Sequence, residues 1–557
     1  MAHAGHRRSA VLSGLVALVL GAGTSVARAD TTAGPGSDQA QPLSGSELAW
    51  ADCGVTGEGI AAGVQCAAAD LPLDYDRPGG EQVHIAVAKV PAADPEHRIG
   101  SLFFNFGGPG APSVDYLQTR GAGLLAALNQ RFDLVGFDPR GVGQSTPSID
   151  CRANQETQGI YSVPVPTPLD IEVDAYVAKA QSYVDSCLAT NGDILEHVST
   201  ANVARDMDAL RAAVGDEQLS YLGFSYGTFL GSTYAALFPD RYRALVLDGP
   251  IDAEEYIDDP MSGIAEQTAG LERALDRFLE ACAVDQAACS GFGGASPSMA
   301  YDHLVASAEL TAIPATGYPA DPRPVTGDDI RQATISFLYA KQRWGGLGRA
   351  LAQAAAGDGT MIRAIVDENV YGRRDDGSFD PFTDRYFTIG ATEQQYPRGD
   401  LGRYLDRGAE SWASFPHFWL NSGYAEVSYA LWPAHDGDAY AGPFTVPASS
   451  PTPLVVATTY DPATPYPGAL RLVQEMGNAR LLTMDGDGHT AYGRKSGCID
   501  SATEAYLVDV TLPAEGTVCP QEVPFTAPVP VPAEASSGVG TRLAAERAVP
   551  ALPAGRR

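Results

Sequence analysis

Short apolar runs, each closed by turn residues, punctuate the chain. Ser101 to Phe106 runs into Gly107-Gly108-Pro109-Gly110, and Phe132 to Phe137 into Asp138-Pro139-Arg140-Gly141. Leu219 to Phe224 ends at Ser225, and Ala244 to Leu247 at Asp248-Gly249-Pro250. Leu454 to Thr458 leads to Asp461-Pro462, and Ala479 to Met484 to Asp485-Gly486-Asp487-Gly488-His489. Uninterrupted apolar runs of this length predict strands covered on both faces, as in a parallel sheet. Helical periodicity lies between them. Val203, Met207, Leu210 and Val214 recur at spacings of three and four from Thr200 to Val214, and Gly215 closes the helix. A second apolar helix is expected from Thr228 to Phe238, stopped by Pro239. The alternation predicts a doubly wound, mostly parallel α/β sheet, whose ligands sit beyond the carboxyl ends of the strands.

Residues 253–450 break the alternation. Helical pieces from Ala269 to Ala281 and from Asp328 to Tyr339 sit there among aromatic loops. This stretch is expected to be a large, mainly helical cap inserted between late strands of the sheet. The core then comprises residues 30–252 and 451–520. Residues 521–557, with Pro524, Pro528, Pro530 and Pro532, are expected to be a loose tail.

The N-terminus carries an address. His6-Arg7-Arg8, an apolar run from Ala10 to Gly23, and Ala27-Arg28-Ala29 have the layout of a secretory signal peptide over residues 1–29. The apolar run is short for a membrane span. A secreted, extracellular protein with no stable membrane association after cleavage is therefore expected. Secretion favours disulfides. Eight cysteines fall into four sequence-local pairs, 53–66, 151–187, 282–289 and 498–519, and this locality favours those bridges among the many connectivities eight cysteines allow. No C-x-x-C or H-E-x-x-H occurs, which argues against a zinc site. The 557 residues are 45% hydrophobic, which excludes wholesale disorder, and the net charge of −31 repels phosphate backbones, which argues against nucleic-acid binding.

Gly223-Phe224-Ser225-Tyr226-Gly227 is a G-x-S-x-G set directly between a strand and a helix. The spacing alone is weak; the strand-to-helix context gives it meaning. So tight a turn pushes the Ser225 hydroxyl out of the sheet edge, with small neighbours on both sides to make room. A serine hydroxyl needs a base to take its proton. His489 follows the last apolar strand and fits; the other histidines do not follow a core strand in this way. The imidazole in turn needs an acid. Asp461 follows the preceding strand, with Asp248 as the main rival and Asp485 and Asp487 as weaker ones. The order Ser225, Asp461, His489 is that of an α/β-hydrolase triad. The N–H of Tyr226 and a backbone donor from Gly107-Gly108-Pro109-Gly110, with Gly108 preferred over Gly107, are the expected oxyanion hole.

These motifs, with Asp138-Pro139-Arg140-Gly141-Val142-Gly143-Gln144-Ser145, Asp461-Pro462-Ala463-Thr464-Pro465, Gly486-Asp487-Gly488-His489-Thr490 and Gly516-Thr517-Val518-Cys519, resemble secreted tripeptidyl aminopeptidases. These are α/β-hydrolase serine peptidases related to prolyl aminopeptidases. The likeness spans roughly residues 45–520 and is faint in the cap. There, Tyr429 and Leu431 precede Trp432-Pro433, where the family often has a Cys and an Asp. The resemblance implies the α/β-hydrolase fold, cleavage of peptide bonds near a free N-terminus, and Ser225, Asp461 and His489 as the triad. Peptides or proteins with a free N-terminus are the implied partners, and the mechanism requires no cofactor. An exopeptidase must bind the substrate ammonium, for which a carboxylate is the natural partner. Glu254, Glu255, Asp258, Asp259 and Glu266 at the start of the cap are candidates. The alternatives are an esterase or lactonase of the same fold, a prolyl aminopeptidase releasing single residues, and a catalytically silent binding protein.

Overall fold

The computed structural model describes residues 48–53, 61–493, 495–523 and 525. The signal-peptide segment and nearly all of the Pro-rich tail lie outside the described residues. The strands are β1 (Ala51–Asp52), β2 (Gln65–Pro72), β3 (Gln82–Val90), β4 (Gly100–Asn105) and β5 (Phe132–Phe137). They continue as β6 (Leu219–Phe224), β7 (Tyr242–Asp248), β8 (Leu454–Tyr460), β9 (Arg480–Asp487) and β10 (Val518–Pro520). All belong to one sheet in the order β1-β2-β3-β5-β4-β6-β7-β8-β9-β10. Every pairing from β5 to β10 is parallel, whereas β1, β2 and β3 add on antiparallel.

The parallel strands are those whose apolar runs are continuous, and burial explains why. Along β4, Leu102 and Phe104 enter one hydrophobic cluster while Phe103 enters the cluster on the opposite face. Tyr221 and Leu222 of β6 divide in the same way, as do Leu245 and Val246 of β7. Each large apolar side chain so buried contributes about 1.5–3 kcal/mol. The expected helices are found as Thr200–Ala213 and Tyr226–Leu237. The antiparallel edge was not anticipated. Its strands are exposed on one side, so they lack a continuous apolar run. The usable signal was the alternation in Gln82-Val83-His84-Ile85-Ala86-Val87, in which Val83, Ile85 and Val87 are buried.

The segment between β7 and β8 is mainly helical and has its own core, built around Leu271, Phe278, Tyr301, Trp344 and Leu351. Its longest helix, Pro260–Val284, contains the expected piece from Ala269 to Ala281. The helix Gly327–Leu338 corresponds to the second piece. At the end of the segment Trp432 donates from Nε1 to Thr392 Oγ1 at 3.1 Å, and Tyr429 packs on Tyr396. The four expected disulfides, Cys53–Cys66, Cys151–Cys187, Cys282–Cys289 and Cys498–Cys519, are all formed. Among the described residues, no helix is long and apolar enough to cross a membrane.

Candidate active site

The parallel strands β6, β7, β8 and β9 deliver Ser225, Asp248, Asp461 and His489 to the same edge of the sheet. Ser225 occupies the turn between β6 and the helix Tyr226–Leu237, with φ 55° and ψ −125°. A non-glycine residue held there is strained, and the surroundings must fix it. They do so at both ends of the residue. Its N–H donates to Asp248 O at 2.9 Å, and its carbonyl accepts from Thr228 N at 2.8 Å and Thr228 Oγ1 at 2.6 Å. The turn closes because Gly223 and Gly227 are bare: a Cβ on Gly223 would lie 2.2 Å from Gly227 O.

The loop after β4 packs against this turn. Gly107 has φ 90°, and a Cβ there would lie 2.5 Å from Phe224 O and 2.9 Å from Tyr226 N. Glycine is therefore required for the loop to reach the start of the Ser225 helix. Among the described residues, the N–H groups of Gly108 and Tyr226 have no protein acceptor. The loop is pinned just downstream by Asp138. Its carboxylate accepts from Ser113 N at 2.8 Å, Val114 N at 2.9 Å and Gln144 N at 2.8 Å. Burial pushes Asp138 up to about 6 against the effect of those bonds.

His489 follows β9, and its Nδ1 lies 2.9 Å from each carboxylate oxygen of Asp461. Donation from Nδ1–H to the carboxylate leaves the lone pair on Nε2. Asp461 is buried and also accepts from Ala463 N at 2.8 Å, Thr464 N at 2.9 Å and Thr490 N at 3.2 Å. Thr464 Oγ1 stands 3.4 Å from Nδ1. The imidazole and Ser225 flank the same peptide: Ser225 N binds Asp248 O, and a Cβ on Gly249 would lie 3.0 Å from His489 Cε1. No hydrogen bond joins Ser225 Oγ to His489 in the structure.

The rival acids have other work. Asp248 does not meet the imidazole; its oxygens accept from Ala491 N and Tyr492 N, each at 2.8 Å, and so fold the loop after His489. Burial raises Asp248 to about 6 despite these bonds. Asp487 binds Arg277 and, at 2.8 Å, Lys341 Nζ, both from the inserted segment. Asp485 is exposed. The buried Lys495 donates to His489 O at 2.6 Å and Thr490 O at 2.8 Å, which holds the His489 backbone from below.

Residues of the insertion complete the surroundings, and sequence reading missed them. Tyr339 accepts from His489 N at 2.7 Å through its carbonyl, and its ring stands edge-on to the imidazole at 5.6 Å. The helix Phe382–Glu393 starts beside the Gly107–Gly110 loop and ends under Tyr226. Phe382 lies 3.1 Å from where a Gly108 Cβ would stand. At the other end, the buried Glu393 accepts from Thr200 N at 2.7 Å, Thr200 Oγ1 at 3.0 Å and Tyr256 OH at 3.1 Å. Thr200 Oγ1 also bonds Tyr226 OH, so the residue after Ser225 is tied to the insertion through two side chains.

Burial pushes Glu393 up to about 7, from an ordinary 4.5, with nearby Asp436 adding to the shift. The folded protein therefore favours the protonated acid. The stability contributed by this group is present at low pH and falls as pH rises from about 4.5 to about 7. Glu393→Gln removes that dependence. The melting temperature of the wild type, measured against Glu393→Gln, is expected to decline between pH 5 and pH 7; a gap independent of pH contradicts the assignment.

The candidate ammonium ligands are largely engaged. Glu255 and Glu266 bind Arg471 at 2.9 and 2.5 Å, together with Asp252, and Asp258 accepts from Gln395 at 2.9 Å. Asp259 caps the helix Pro260–Val284 and lines a cleft of about 570 Å³ with Asp400, Arg403, Asp406 and Glu410. Glu254 is exposed. A carboxylate trio suited to a metal, Glu156, Asp321 and Asp367, is neutralised by Arg323, Arg363 and Arg373.

Comparison with known proteins identifies the family. The α/β-hydrolase fold family matches residues 101–291, and the TAP-like protein family matches residues 422–519. The chain is 34% identical to serine protease Hip1 of Mycobacterium tuberculosis over 86% of its own length and 92% of the relative's. It is 33% identical to carboxylesterase B of the same organism over 87% of this chain and 92% of that one. It is 28% identical to the tripeptidyl aminopeptidase of Streptomyces lividans, covering 84% and 86% of the two chains. The chain is a serine hydrolase and belongs to the tripeptidyl aminopeptidase-like serine peptidase family of the α/β-hydrolase superfamily.

Proposed function

We propose that this protein is a secreted serine exopeptidase that cleaves peptides near a free N-terminus and releases tripeptides through an acyl-enzyme. The observation that carries the reading is the His489–Asp461 pair at 2.9 Å, placed on the same sheet edge as Ser225 in its strained turn. Ser225 Oγ attacks the scissile carbonyl while His489 Nε2 takes its proton. Asp461 keeps the second imidazole proton on Nδ1 and stabilises the imidazolium. The N–H groups of Tyr226 and Gly108 receive the oxyanion. Collapse expels the amine, to which His489 returns the proton, and water then hydrolyses the ester by the same relay. The reading requires Ser225 Oγ and His489 Nε2 to come within hydrogen-bond reach in the substrate complex, as catalytic contacts tighten when substrate binds.

The inserted helices act as a cap over this edge, through Tyr339 on His489 and Phe382 on the Gly108 loop. A cap that closes the groove beyond the third residue accounts for tripeptide release. Secretion is supported by the leader-like N-terminus and the four disulfides. The test is mass analysis of products from a set of peptides offered with free and with N-acetylated termini. Free peptides are expected to yield tripeptides, and acetylation to lower the rate at least about tenfold, as loss of a charge-assisted contact does. Equal cleavage of acetylated peptides contradicts the exopeptidase reading, and single-residue products point to a prolyl aminopeptidase. The likeness to carboxylesterase B favours a second reading, an esterase. That reading predicts ester turnover with no peptide cleavage.

A further inference from the structure

Two buried arginines flank the Gly107–Gly110 loop and the motif after β5, and they are treated differently by the fold. Arg140 is 1% exposed, and all five of its N–H donors are used. They go to both oxygens of Asp206 and to the carbonyls of Leu73, His197 and Pro72. Arg385 is 6% exposed, and its Nε is buried without a partner. Its backbone N–H donates to Pro381 O at 3.0 Å, but among the described residues no carboxylate lies within ion-pair distance of its guanidinium and no protein acceptor takes a guanidinium N–H.

The acids around Arg385 do not fill that gap. Asp138, Asp380 and Asp384 lie near enough to favour its charge, while Arg374 opposes it. Their oxygens are bound elsewhere, however. Asp138 holds Ser113, Val114 and Gln144; Asp384 accepts from Cys151 N, Gln155 and Tyr183; Asp380 accepts from Phe382 N and Arg374. A guanidinium whose charge is only partly offset, and at a distance, and whose donors are empty is costly to bury; burial, with the like charge of Arg374 adding, holds it below its ordinary basicity. Its place explains the arrangement. Arg385 sits one turn into the helix Phe382–Glu393, and its Cβ lies 2.6 Å from where a Gly110 Cβ would stand. It is therefore fixed against the loop that carries Gly108.

We propose that Arg385 is a substrate-binding residue that takes a carboxylate of the substrate beside this loop. A planar guanidinium fork pairs with a carboxylate through two parallel hydrogen bonds. The carboxylate comes either from an acidic side chain next to the cleaved bond or from the free C-terminus of a short peptide. The proposal rests on Ser225 being the nucleophile and on the loop after β4 receiving the scissile carbonyl.

The test compares kcat/KM within matched substrate pairs. One pair carries Glu or Gln beside the cleaved bond; a second has a free or an amidated C-terminus. A third is the 4-nitrophenyl ester of succinate or of butyrate, which needs no peptidase activity. The wild type is expected to prefer the carboxylate member of at least one pair by about 10- to 100-fold, and the pair that responds identifies the source. Arg385→Met is expected to bring that ratio to about one, and Arg385→Lys to keep part of it. Because each ratio is internal to one preparation, a partly folded variant does not distort it. Ratios near one in the wild type for every pair, or a preference that survives Arg385→Met, overturn the proposal. Hydrolysis of esters without peptides sinks the exopeptidase reading instead, and the ester pair still decides the role of Arg385.

Discussion

Ser225→Ala is expected to lower kcat on any peptide or ester substrate by about 10⁶-fold, with the fold intact. The size follows from what the side chain does in the proposed reaction. Without the hydroxyl there is no acyl-enzyme, and His489 has no proton to take. What remains is binding plus the two backbone donors, which on comparable sites still exceed water by about 10³- to 10⁴-fold. Removing the side chain also leaves the turn itself in place, since the backbone of residue 225 is held by Asp248 O and by Thr228 rather than through Oγ. Alanine at φ 55° is as strained as serine, so the melting temperature is expected to stay close to that of the wild type. A variant that keeps more than about one-hundredth of the activity contradicts the assignment of the nucleophile.

Asp461→Asn is expected to cost about 10⁴-fold in kcat. The carboxylate receives the Nδ1 proton of His489 on both oxygens, and this fixes the tautomer that presents a lone pair from Nε2. An asparagine amide can offer its N–H₂ to Nδ1, which turns the ring into the wrong tautomer. The carboxylate also anchors Ala463, Thr464 and Thr490 through their N–H groups, and the asparagine carbonyl retains only part of that. Asp248→Asn provides the contrast. Asp248 touches Ala491 N and Tyr492 N rather than the imidazole, so its loss is expected to lower stability and to spare most of the chemistry. Steady-state kinetics and melting curves on the two variants separate a catalytic acid from a structural one; equal losses of kcat would contradict the distinction.

The parallel half of the sheet was legible because burial on both faces requires continuous apolar runs, and those runs are local in sequence. That Ser225, Asp461 and His489, the proposed triad, come to one end of the sheet was legible for the same reason, since each stands where such a run ends. Local spacing also pointed to the four disulfides. Other features lie outside local pattern. β2 and β3 keep one face toward solvent, so their apolar residues alternate and the runs disappear. Glu393 meets Thr200 across 193 positions, and Tyr339 meets His489 from another element; no period in the sequence encodes such contacts. The acids at the start of the insertion looked available in sequence because Arg471, which takes Glu255 and Glu266, lies more than two hundred residues downstream. Arg385 had no sequence signature at all: only the packing of its helix on Gly110 brings it beside the loop after β4.

The central claim is that a base paired with Asp461 activates the Ser225 hydroxyl. It is tested most directly by treating the folded protein with an organophosphonate probe and mapping the adduct by mass spectrometry. The account predicts one stoichiometric adduct on Ser225, formed at least about 10³-fold more slowly when His489 is replaced by Ala. An unlabelled Ser225 in the folded wild type, or labelling that proceeds unchanged without His489, contradicts it.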